Sequence, residues 1–134
     1  NGGFTYVDGG EFIDIGPGKA GGFGAPVLTG SGDLSAGSVT GFSLLATGAF
    51  SFAPATLYVS LTQGAVPFKD GTFYPIPILT QIPLAMSVVG DLNLASSMPV
   101  GTPSGLAIVL QLWINDPSAS FGLSATNGLK LVVP

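Results

Sequence analysis

Apolar and polar side chains alternate with period two along much of this chain. In ATLYVSL (55–61), Leu57, Val59 and Leu61 share one face, while Thr56, Tyr58 and Ser60 share the other. DLNLA (91–95) turns Leu92 and Leu94 one way, with Asp91 and Asn93 the other way, and GLKLVV (128–133) sets Leu129, Leu131 and Val133 against Lys130 and Val132. Successive side chains of a strand point to opposite faces, so each run predicts a strand with one buried side. LAIVLQLWI (106–114) is apolar on both faces except at Gln111. It predicts a central strand with Trp113 as a core anchor. FYPIPILTQIPL (73–84) carries prolines that remove ladder donors, which predicts an edge strand or an extended crossover.

Turn-forming residues punctuate these runs. GSGD (30–33), SAGS (35–38), KDG (69–71), VGD (89–91), NDPS (115–118) and TNG (126–128) each predict a reversal. KDG reads either as a contact loop or, more simply, as a hairpin turn with solvated charges. Strand–turn units every 8–15 residues, without helical periodicity, predict an all-β fold. The expected form is an antiparallel β-sandwich of Ig-like or jelly-roll type.

Composition narrows the function. The 134 residues suit one domain. Glycine and proline together fill 32 positions, the 21 and 11 of the sequence, which disfavours helix throughout. The net charge is −4 and there is no arginine, so nothing forms a phosphate-binding stripe and nucleic acid is not an expected partner. The longest apolar run is about half the ~20 residues of a spanning helix, so no membrane span is expected. Lacking cysteine, the chain has neither disulfides nor thiolate metal sites. Lacking histidine as well, it offers none of the usual bases and nucleophiles; no enzyme, no catalytic residue and no cofactor is expected. Most of its aspartates (Asp33, Asp70, Asp91, Asp116) fall in turn contexts.

Asp8, Glu11 and Asp14 recur every third residue but lack the ligand spacing of a known calcium loop. They read as solvated charges on an edge segment, and no metal is expected. Tyr58, Phe68, Phe73 and Tyr74 are candidate ligand-facing aromatics, a platform for an extracellular polysaccharide, against the plainer reading of strand packing.

Four stretches carry a resemblance: IDIGPGKAG (13–21), GAPVLTGSGDLSAGS (24–38), VPFKDGTFYPIPIL (66–79) and LQLWINDPSASFGLSATNGLKL (110–131). In these the chain resembles the β-sandwich modules found, often at the C-terminus, in secreted proteins of planctomycete-type bacteria. The resemblance covers roughly nine-tenths of the chain, counted from the end of an N-terminal extension. It implies a sandwich fold and secretion, and carries over no catalytic residues. Asn1 in place of methionine is read as a processed product or a fragment, a cleaved secretory signal being the simplest origin.

The remaining feature is the start of the chain, NGGFTYVDGGEFIDIGPGKAGG. Phe4 and Tyr6 fall on one strand face, and Thr5 and Val7 on the other. Glycine-rich joints at 8–10 and 16–22 follow. A free apolar strand is an aggregation hazard unless it pairs. It predicts a donor strand, residues 1–12 being an extension of a domain at 13–134, that inserts into a neighbouring copy and builds a filament. Phe4, Thr5, Tyr6 and Val7 are its expected anchors, with Phe12, Ile13 and Ile15 secondary. The alternative is a monomeric extracellular binding or surface-attachment module of carbohydrate-binding type, with the N-terminal segment as the first strand of its own sheet.

Overall fold

A computed structural model of the chain describes residues 10–22 and 24–134. The elements run β1 (Glu11–Gly16), β2 (Val27–Gly32), β3 (Phe42–Thr47), β4 (Pro54–Ser60), β5 (Gln63–Phe68) and β6 (Gly71–Pro75). Then follow β7 (Thr80–Ala85), β8 (Leu92–Ser96), β9 (Ala107–Asn115), β10 (Leu123–Ala125) and β11 (Gly128–Val132). A wide sheet has the order β1-β11-β9-β4-β7, with β10 also paired to β9; β2-β3-β8 form a narrow sheet and β5-β6 a hairpin. All strand pairs are antiparallel. This is the β-sandwich that the alternation predicts. The apolar run of β9 lies at the centre of the wide sheet, and the proline-bearing β7 at its edge.

The two faces of the wide sheet bury different things. Leu57, Leu110, Leu112, Ile114, Leu129 and Leu131 face the narrow sheet and make the main core with Leu28, Phe42 and Leu44. On the opposite face Trp113, Phe73 and Ala125 form a second cluster, with Tyr58, Ile76 and Leu123 packed against it. The β5–β6 hairpin covers that face.

Gln111 holds the hairpin there. It is fully buried on β9, where its Oε1 accepts from Tyr74 N (3.1 Å) and its Nε2 donates to Thr72 O (2.9 Å) and Thr126 O (3.0 Å). A carboxamide carries the same donor and acceptor as a peptide group, so Gln111 engages β6 as a neighbouring strand would.

Two expected reversals are corrected. GSGD does not turn: Gly30, Ser31 and Gly32 continue β2, opposite Leu44, Ser43 and Phe42. Gly30 is needed there because a Cβ would come within 2.1 Å of the Phe12 ring. TNG does not turn either. β10 and β11 run along the same strand β9, with Ala125 opposite Trp113 and Leu129 opposite Leu110, so four residue steps face three. The extra residue makes a bulge. Asn127 uses it to point inward, where its Oδ1 accepts from Leu28 N (2.8 Å) and its Nδ2 donates to Leu28 O (3.1 Å). Thr126 Oγ1 accepts from Leu112 N (3.0 Å) within the bulge.

Gln111→Leu keeps the volume but strips partners from three backbone groups. Each such buried group costs about 1–3 kcal/mol. Urea unfolding should show a loss of at least about 3 kcal/mol, with Trp113 fluorescence shifting to the red as the hairpin lifts. A loss below about 1 kcal/mol would contradict the role given to Gln111.

Candidate functional site

The predicted site residues separate into three places. Phe4, Thr5, Tyr6 and Val7 lie outside the described residues, as does Asp8. Phe12, Ile13 and Ile15 stand in β1, paired with β11 of the same chain from Glu11 opposite Val132 onward. Among the described residues the wide sheet begins at Glu11, and residues 12 and 13 stand side by side in β1. Phe12 turns inward against Phe42, ring centroids 6.4 Å apart, and is used by its own core. Any inserting strand is left with residues 4–7.

Of the four candidate aromatics, three meet and one does not. Tyr58, Phe68 and Phe73 line a cleft of about 340 Å³ with Val66, Ile76 and Ile78, between the hairpin and the outer face of the wide sheet. Their rings pack edge to face, Tyr58 to Phe73 at 4.9 Å and Phe68 to Phe73 at 5.8 Å, and Phe68 meets Trp113 the same way at 5.3 Å. Such rings grip one another instead of presenting one flat platform. Tyr74 is buried elsewhere. Its hydroxyl donates to Pro17 O (2.9 Å), and burial pushes the phenol pKa up.

A second opening lies between the two sheets, along β7 and β8. It is a groove of about 300 Å³, lined by Leu57, Val59, Ile82, Leu84, Leu94 and Met98 among others. Ile82 lies opposite Leu57 and faces the core side, yet is 41% exposed while Leu57 is 5% exposed. Among the described residues the narrow sheet ends at β8, which pairs only with β3, and β7 pairs only with β4. The groove is therefore an apolar slot bounded by two strands whose outer edges have no strand partner among the described residues. No single sequence position signals it, because it arises from the unequal widths of two sheets.

No protein-family model, curated protein or solved structure matches this chain.

Several charged groups have local structural partners. KDG forms the β5–β6 turn with both Lys69 and Asp70 at positive φ (47° and 67°), the two-residue hairpin geometry. Lys69 Nζ lies 5.6 Å from the ring centroids of both Phe68 and Phe121. Lys19 is buried and donates to Ser120 O. Burial pushes its pKa down, Asp70 opposes that and Lys69 adds to it. Asp14 Oδ1 accepts from Gly16 N (3.0 Å) on β1. Among the described residues no three acidic, histidine or cysteine side chains gather as metal ligands, and no helix is long and apolar enough to cross a membrane.

Asp116 fastens the NDPS turn. Its carboxylate accepts from Gly22 N (3.0 Å), Ser118 N (2.9 Å) and the Ser118 hydroxyl. Burial alone would raise its pKa, but these hydrogen bonds outweigh it and hold the carboxyl below the ordinary 3.8. A depressed carboxyl stabilises the fold above the unfolded-state value, and that contribution is lost as pH falls through the folded-state value. Asp116→Asn should be less stable than wild type at neutral pH, with the gap narrowing below pH 3.8 in thermal melts. A gap independent of pH would contradict the assignment.

Proposed function

We propose that the protein is a secreted, non-enzymatic structural protein, the protomer of an extracellular filament. Each copy inserts its N-terminal strand into the next. The observation that carries this reading is the apolar groove between β7 and β8, which the described residues leave uncovered at a pair of free strand edges. Such an edge is either protected or used, and strand addition is the general way of using it.

The amounts are consistent with assembly that depends on concentration. Burial of Phe4 and Tyr6 contributes roughly 1.5–3 kcal/mol each. Net backbone hydrogen bonds add about 0.5–1.5 kcal/mol each. Association costs on the order of 4–15 kcal/mol. Phe12 packs in its own core and Ile13 pairs its backbone with β11, so neither is counted. The balance is close, so filaments should form above a threshold concentration and gain from contacts between stacked subunits. Only ten residues of the chain are charged, which keeps desolvation small at those contacts. Secretion rests on the resemblance to modules of secreted bacterial proteins.

The convergence of Tyr58, Phe68 and Phe73 on one cleft favours a second reading, a monomeric extracellular binding module. Sedimentation with insoluble polysaccharide, lost on Tyr58→Ala, would support it.

Electron microscopy of the full chain should show regular filaments, and the double variant Phe4→Asp, Tyr6→Asp should give dispersed particles with unchanged circular dichroism. Filaments of the double variant would overturn the strand-insertion reading.

A further inference from the structure

The geometry points to one acceptor and one occupant: residues 4–7 of a second copy lie beside β8, as a fourth strand of the narrow sheet. This deepens the filament reading above and rests on it.

The choice of β8 over β7 follows from the two sheets. Five strands lie side by side in the wide sheet and three in the narrow one. A strand added to β8 would sit over β7 and cover Ile82 and Leu84, the half-covered side chains of the core-facing side. A strand added to β7 would widen the sheet that is already too wide and leave the slot open. β7 also carries Pro83, which lacks a donor, whereas β8 (Leu92–Ser96) has no proline.

The occupant fits in size and period. A cavity of about 150 Å³ accepts a benzene ring, and the groove of about 300 Å³ has room for two. Phe4 and Tyr6, two residues apart on one strand face, supply two rings while Thr5 and Val7 point away. The segment cannot take this place in its own molecule. Gly10 sits against Val132 O at the end of β11. β7 lies three strand spacings from β11, about 14 Å. Val7 is three residues from Gly10 and reaches at most about 11 Å. Residues 4–7 therefore reach this place beside β8 only from another copy.

The chain has no cysteine, so engineered disulfides have a clean background. Asn93 and Ala95 point outward on β8, as Thr5 would on the added strand. Same-face neighbours on adjacent strands lie at about the Cβ separation that a disulfide spans. Full-length Thr5→Cys/Asn93→Cys and Thr5→Cys/Ala95→Cys are assembled under reductant and then oxidised, beside a Thr5→Cys/Gln81→Cys control on β7. At least one β8 pair should give a reducible covalent ladder on denaturing gels, and the control should give none. A ladder from the β7 pair alone, or a bond within single chains, would overturn the inference. Filaments that give no ladder with either β8 pair would overturn this acceptor while leaving the filament reading standing. A wild-type chain that forms no filaments at any concentration would overturn both.

Discussion

A buried glutamine in the middle of an otherwise apolar strand must have all its hydrogen-bonding groups met, or it costs more than it contributes. Gln111 meets that demand by capturing β6, and so decides which face of the wide sheet the β5–β6 hairpin covers. The consequence reaches beyond the hairpin. Those two strands cover the outer face and are absent from the narrow sheet, which stays at three strands opposite five. A leucine at 111 would leave the outer face without the anchor that commits the hairpin to it.

Asn127 extends the same logic. Asn127 ties the bulge between β10 and β11 to Leu28 of β2, fixing the narrow sheet over the β1–β11 side of the wide one. Two side-chain amides, one on each face of the wide sheet, thus set where the outer layers sit, while leucines and isoleucines supply most of the burial.

Local alternation made the strands legible. Leu57, Leu129, Leu131 and Val133 are buried as period two assigns, Val59, Leu92 and Leu94 are half-buried, Leu61 lies beyond the end of β4 and is exposed, and the apolar run of β9 is central because both its faces are covered. KDG was legible too, since its turn needs two residues at positive φ. TNG was not. Its turn-like composition describes a bulge equally well, and only the register against β9 distinguishes them. The packing of Phe12 was not legible either, because its partners, Gly30 and Phe42, lie far along the chain. The same limit applied to Tyr74, whose hydroxyl partner is 57 residues away. The groove could not be read at all, because it is a difference between sheets and belongs to no segment.

In the assembly we propose, the β7–β8 side is completed by another copy, and it is open because of where the hairpin goes. Hydrogen exchange of the β8 amides in dilute and in concentrated protein tests this most directly. The account predicts that the outward amides of β8 exchange rapidly in dilute solution and become protected at concentrations where copies associate, with β2 unchanged. Protection of β8 already present in dilute monomer, or none at any concentration, would contradict it.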